Sequence, residues 1–192
     1  MPDNPKVTLK DVSHSYDRFR YLFKNINTVI SPSSPLAIVG SNGSGKSTLL
    51  KIILGLLTAS SGNIEYNNIH NKALVAPYFN LYDELTLKQH HKLFNSVIKS
   101  DILKYWKMEN ALDYKVSEYS SGMKQRAKFI LSELIQKPNS IIAWDEPFAN
   151  IDKDGIERVI MRREELINSG ACVVIASNDT KEYEGIENSI KI

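Results

Sequence analysis

Gly40-Ser41-Asn42-Gly43-Ser44-Gly45-Lys46-Ser47 satisfies G-x-x-x-x-G-K-[ST] at every fixed position, with Thr48 next in the chain. The apolar stretch before it, Leu36-Ala37-Ile38-Val39, reads as a short buried strand. The stretch after it, Thr48-Leu49-Leu50-Lys51-Ile52-Ile53-Leu54, reads as a helix. Strand, glycine-rich turn and helix together are the context in which this motif has physical meaning. Glycines let the backbone curl until several N–H groups point at one anion, and the helix adds the positive end of its dipole. The expected guest is a nucleotide: Lys46 would reach the β- and γ-phosphates, and Ser47 would place its hydroxyl on Mg²⁺. A glycine-rich turn that binds nothing has no need of that lysine and that serine.

The totals bound the rest. A chain of 192 residues, 42% hydrophobic and 24% charged, is one ordinary domain or a compact core with a small lobe. The formal net charge of +2 argues against nucleic acid held through a general basic surface. Cys172 is the single cysteine, so no internal disulfide forms, and its apolar surroundings mark it as a core residue. The N-terminal residues show no apolar signal segment, and no run approaches the roughly 20 apolar residues that cross a bilayer. Any membrane span is therefore expected from another chain.

Around the glycine-rich loop the pattern alternates. Residues 6–16 and 21–30 read as strands, with Val7, Leu9 and Val12 as buried positions. Residues 63–66 and 72–75 are short strands separated by a polar turn. Residues 86–112 change character to helical spacing, with Leu87, His91, Phe94, Val97, Ile98, Ile102, Leu103 and Trp106 on the apolar face. This reads as a helical lobe inserted between two halves of an α/β core. A further helix is expected over 121–136, stopped by Lys137-Pro138-Asn139. Ile141-Ile142-Ala143-Trp144 and residues 171–176 have the continuous apolar character of buried parallel strands, and residues 155–168 that of an amphipathic helix. His14, His70, His90 and His91 make no spaced metal set and read as surface or packing residues.

Asp145 and Glu146 follow the apolar run directly. In open α/β sheets ligands sit at the carboxyl ends of the strands. Adjacent residues there diverge in direction and can take two tasks: Asp145 holding Mg²⁺, directly or through water, and Glu146 polarising an attacking water.

Tyr119-Ser120-Ser121-Gly122-Met123-Lys124-Gln125-Arg126 resembles the LSGGQ signature of ATP-binding cassette (ABC) ATPases, and Gly122 lies 23 residues before Asp145, the family's spacing. Ser120, Gly122, Gln125 and Arg126 match the pattern, whereas Tyr119, Ser121 and Met123 depart from it. The resemblance covers nearly the whole chain and implies an α/β fold: a P-loop NTPase (RecA-like) core of mainly parallel sheet with flanking helices, a small antiparallel β-subdomain and an inserted helical subdomain. It implies one ABC ATPase domain over 1–192, with the core in 1–85 and 117–192 and the lobe in about 86–116, running on into the signature helix. It also implies a dimer, homo- or heterodimeric. Two ATP molecules would be sandwiched between the loop Gly40, Ser41, Asn42, Gly43, Ser44, Gly45, Lys46, Ser47 and Thr48 of one subunit and Ser120, Ser121 and Gly122 of the other. Tyr16 looks like the aromatic that stacks on adenine. Ala149-Asn150-Ile151-Asp152 looks like the D-loop, with Asp152 at the dimer interface. The helical lobe matches the part of the family that docks on a transmembrane permease.

Two positions depart from that family. Where it carries a glutamine in the loop leading to the lobe, this chain has Tyr78, and Gln89 further on reads as a helix-surface residue. Where it carries a switch histidine, this chain has Asn178, within Ser177-Asn178-Asp179. Asn178 can donate a hydrogen bond to a γ-phosphate oxygen but has no ionisable proton. Both changes leave the nucleotide grip and point to slower turnover. The leading expectation is a Mg²⁺-dependent ATPase subunit of a membrane transporter, cytoplasmic and peripheral at the inner face of the membrane, with no nucleic-acid partner. Two other readings stand beside it: a nucleotide-gated interaction module with little turnover, and a non-transport ABC ATPase.

Overall fold

The structure is a computed structural model and describes residues 4–17, 20–94, 98–133 and 139–192. Two sheets share the scaffold. The first is antiparallel, ordered β2-β1-β4, from β1 (Lys6–Ser15), β2 (Tyr21–Ile30) and β4 (Ser61–Asn67). The second is parallel, ordered β5-β6-β7-β3-β8, from β3 (Leu36–Val39), β5 (Asn71–Val75), β6 (Ser140–Asp145), β7 (Cys172–Ser177) and β8 (Ser189–Lys191). All six residues of β6 and all six of β7 are buried, which is why both read as unbroken apolar runs rather than alternating ones.

The parallel sheet is covered on both faces. On one side α1 (Lys46–Ile53) and the antiparallel sheet close a core containing Val7, Leu9, Val12, Leu49 and Ile52. On the other side α2 (Leu87–Leu93), α3 (Ser100–Tyr105), α4 (Ser121–Glu133) and α5 (Lys153–Asn168) pack over Val75, Trp144 and Val173. Trp106 of the helical lobe stacks on Phe129 of α4 at 4.8 Å between centroids, and Phe129 meets Trp144 of β6 edge-on at 5.2 Å. Trp106 also donates its indole N–H to the buried Glu133 carboxylate at 2.8 Å, and Arg162 of α5 bonds the other oxygen at 2.8 Å. One buried acid thereby ties lobe, α4 and α5 together. Cys172 lies in the core as expected, and burial pushes its thiol up to about 12.

The structure refines some expectations and corrects others. The strands expected over 63–66 and 72–75 both form, as β4 and β5, and they belong to different sheets: β4 pairs with β1 and β5 with β6. β8, three residues long, was not anticipated; it is held by pairing with β3, not by a pattern of its own. Phe94 is exposed because α2 ends at Leu93 and Phe94 is its C-cap. Gln89 lies exposed on α2, as expected, and is also the N3 residue of a capping box with Thr86. His90 and His91 are buried, and His90 ties the Tyr82 amide to the Thr86 carbonyl. Helix α5 starts at Lys153, two residues earlier than expected, because Asp152 caps it. Val97 and residues 134–138 of the expected helix and its stop lie outside the described residues.

Candidate functional site

In the parallel sheet β7 lies between β3 and β6, and all three strands run the same way. Their carboxyl ends therefore open on one edge: Gly40 after β3, Ser177 and Asn178 after β7, Asp145 and Glu146 at the end of β6. This arrangement gathers three sequence-distant segments that the chain alone does not connect.

The loop after β3 is shaped by two glycines. Gly45, at φ 110°, is the N-cap of α1 and makes no side-chain cap, so the helix N-terminal amides lack a side-chain acceptor from it. Gly40 sits so tightly that a Cβ would meet the Ile192 carbonyl oxygen at 2.3 Å and Ser44 Oγ at 2.5 Å. Ser44 Oγ is buried with no hydrogen-bond partner, an orphaned polar atom inside the curl. Lys46 is 4% exposed, and its ammonium donates to the Gly40 and Ser41 carbonyls at 3.0 and 3.1 Å. The cradle thus presents unsatisfied donors and one buried cation, and it fits a phosphate anion.

Asp145 is 2% exposed. Burial raises its pKa, and the hydrogen bond from the Ser47 hydroxyl and the positive charges of Lys46 and Lys51 work against that rise. Ser47 and Asp145 are thus adjacent hard-oxygen donors, one of them a desolvated carboxylate that a divalent cation would stabilise, and the pair fits Mg²⁺. The Tyr78 phenol is also hydrogen-bonded to Asp145, and burial and that carboxylate both raise its pKa. Lys51 of α1 covers the Tyr78 ring at 4.2 Å. At the site, therefore, Tyr78 contacts the acidic residue rather than standing apart from it.

A cavity of about 400 Å³ is lined by Tyr16, Asn42, Gly43, Gly45, Lys46, Ser47, Thr48 and Glu146, together with Leu22. Tyr16 is 71% exposed with its hydroxyl 2.9 Å from Thr48 Oγ1, which leaves a ring face open beside the loop. Asn178 donates to the Asn42 side chain at 3.1 Å and so already touches the loop. Glu146 adopts φ 45° and hangs from the Ala176 carbonyl through its amide at 2.9 Å.

Ser120, Ser121, Gly122 and Asp152 do not line this cavity. Ser120 caps α4, its Oγ accepting from the Met123 amide at 3.2 Å. Gly122 lies against the D-loop segment, where a Cβ would stand 3.1 Å from the Asn150 carbonyl oxygen. Asp152 accepts from the Gly155 amide and pairs with Arg126 at 2.6 Å, and this partner holds its carboxyl below the usual range. The serine-glycine turn and Asp152 therefore form one joined patch, separate from the phosphate cradle. Sequence reasoning missed Leu22, Lys51 and Glu182; the last bonds the Phe148 amide two residues beyond Glu146. A lone glutamate in a polar stretch carries no signal of that contact.

The family model described as ABC transporter matches residues 23–149. The cytochrome c biogenesis ATP-binding export protein CcmA of Rickettsia felis is 31% identical over 187 residues, covering 90% of this chain and 89% of the relative. The ABC-type transporter ATP-binding protein EcsA of Bacillus subtilis is 29% identical over 192 residues, covering 90% and 76%. Among solved structures, a dimeric ATP-binding cassette in a post-hydrolysis state bound to ADP and Pi superposes with a TM-score of 0.82 at 24% identity, covering 97% of this chain and 94% of that one. That last likeness speaks to the fold: the P-loop NTPase core expected from the sequence.

Proposed function

This chain belongs to the ABC transporter family, and from that premise we propose that it is an ATP-binding and ATP-hydrolysing subunit that powers transport through a separate membrane chain. The observation that supports the reading best is the meeting of Lys46 and Ser47 with Asp145, with Glu146 lining the same cavity. The whole of 1–192 acts as one ATPase domain, its core in 1–85 and 117–192 and its lobe in about 86–116.

Roles follow from chemistry. The amides of Gly40–Thr48 and the Lys46 ammonium hold the phosphates. Tyr16 stacks on adenine. Ser47 and Asp145 would hold Mg²⁺, which when bound would shield phosphate charge. Glu146 orients the attacking water and takes its proton. Asn178 exchanges its Asn42 partner for a phosphate oxygen. The patch of Ser120, Ser121, Gly122 and Asp152, lying off the cavity, serves the nucleotide of a second subunit, and ATP closes that dimer. The helical lobe passes the motion to the permease. Among the described residues no helix is long and apolar enough to cross a membrane, in keeping with a peripheral place on a membrane partner at its cytoplasmic face. The relatives are ATP-binding proteins of transport systems, so neither an interaction module with little turnover nor a non-transport ATPase is favoured.

The test is multiple-turnover ATP hydrolysis by the purified chain with and without Mg²⁺, beside Glu146→Gln. Turnover should need Mg²⁺ and vanish in the variant, which should also accumulate as an ATP-bound dimer in size-exclusion chromatography. Unchanged hydrolysis in Glu146→Gln would remove that residue from its role.

A further inference from the structure

Glu146 is a non-glycine residue at φ 45° and stands directly before Pro147. Left-handed backbone is unfavourable for an L-residue that carries a Cβ, and a following proline restricts it further. Such a conformation persists only where its surroundings over-determine it. The turn's holders are visible. The Glu146 amide donates to the Ala176 carbonyl at 2.9 Å, Ala149 donates back to the Glu146 carbonyl at 3.0 Å, and the Phe148 amide donates to Glu182 Oε1 at 2.7 Å. Of these, Glu182 alone acts through a side chain, so it is the one a substitution removes cleanly.

Glu182 itself is fixed on every side. It is 5% exposed, inside the 3₁₀ turn Thr180–Tyr183 whose N-cap is Asp179. Its amide donates to the Asp179 carbonyl at 3.1 Å, and Arg163, a buried residue of α5, donates to its carbonyl at 2.9 Å. Its other carboxylate oxygen, Oε2, is buried with no partner. Burial raises its pKa, and the Ser177 hydroxyl and the Phe148 amide work against that rise, so the short bond to Phe148 is one of two contacts that steady the buried carboxylate. The turn that holds it starts at Thr180, two residues after Asn178, so one clamp joins the segments carrying Glu146 and Asn178.

We propose that Glu182 is a positioning residue for hydrolysis, its carboxylate clamping the turn that aims Glu146 into the cradle. The proposal rests on Glu146 being the water-orienting base. Loss of the clamp lets the turn relax. Because misplacement of a reacting group by about 1 Å can lower a rate about a hundredfold, the effect falls on the chemical step and not on nucleotide capture.

Three variants separate the possibilities. Glu182→Ala removes the acceptor, Glu182→Asp keeps the charge but shortens the reach, and Glu182→Gln keeps reach and acceptor without charge. Steady-state ATP hydrolysis with Mg²⁺, calorimetric ATP affinity and amide hydrogen exchange at Phe148 in the nucleotide-free protein are measured for each. In the Ala and Asp variants kcat should fall roughly ten- to hundredfold, with KM and ATP affinity within about twofold of wild type, and Phe148 exchange should speed up. The Gln variant should recover most of the rate and the protection; if the Ala variant does not fold, the Asp–Gln pair carries the same contrast. A wild-type kcat with the acceptor gone, a rise in KM at constant kcat, or a Gln variant no better than Asp would overturn the proposal. If Glu146→Gln abolishes turnover while Glu182→Asp leaves it intact, this proposal alone fails. If Glu146→Gln hydrolyses normally, the reading of Glu146 fails and takes this one with it.

Discussion

Arg162→Met isolates the buried acid that joins the helical lobe to the core. In the folded chain Glu133 has a side chain only 4% exposed, bonded by Trp106 on one oxygen and Arg162 on the other. Burial alone raises its pKa, and the arginine counters that most. Replacing Arg162 by an apolar residue leaves the carboxylate buried with a single neutral donor. Breaking a buried pair from one side is unfavourable by about 3–5 kcal/mol. Arg162 is itself about a quarter exposed and its bond to Glu165 is a surface one, so we place the loss near 3 kcal/mol, the lower end. For a chain of this length 1 kcal/mol moves the midpoint by roughly 2–4 °C, and the expected fall is about 6–12 °C by circular dichroism. The pH dependence has a defined sign. With the arginine gone the folded-state pKa of Glu133 rises further above its unfolded value. A carboxyl shifted upward favours the folded chain below the unfolded pKa and loses that contribution as pH rises through the folded one. The deficit should therefore be small near pH 4.5 and full by pH 8, and Glu133→Leu added to Arg162→Met should restore much of it. A deficit under about 1 kcal/mol, or one equal at the two pH values, would refute the claim that an uncompensated buried charge is responsible.

Lys46→Ala removes the buried cation of the cradle, and calorimetry should show ATP affinity reduced by at least about tenfold, the loss of one charge-assisted contact. Tyr78→Phe keeps the ring under Lys51 but frees Asp145 of the phenol; half-saturation of hydrolysis by Mg²⁺ should then shift to lower concentration, by up to about tenfold, and an unchanged value would mean the phenol does not compete for that carboxylate. Asn178→His should raise kcat if the missing imidazole limits turnover, and a flat response would show that the carboxamide suffices. Cys172, its thiol pushed up to about 12 and fully buried, should resist iodoacetamide at pH 8 in the native chain and react on unfolding; rapid native labelling followed by mass spectrometry would contradict its place in the core.

What could be read from the chain alone was whatever is written locally. The loop from Gly40 to Ser47 announces itself because its residue types sit at fixed spacing, and β6 and β7 do so because both faces are buried and every residue must be apolar. Contacts set by assembly were not legible. β8 exists by lateral pairing with β3, and a three-residue strand has too few positions for any period to show. Glu182 reaches Phe148 across 34 residues of chain, and a solitary acid looks the same in a surface turn as in a clamp. Asp152 was readable as part of a motif, but its pairing with Arg126 was not, because that depends on where α4 comes to lie. Tyr78 was visible as a departure; that its hydroxyl would find Asp145 was not.

Only two tryptophans occur in the chain, and Phe129 touches both: Trp106 from the lobe face-on, Trp144 from the strand that ends in Asp145 edge-on. The protein thus carries its own optical gauge. A rotation of the lobe against the sheet would alter the packing of one indole on the shared ring, and emission from an unlabelled sample is the expected readout.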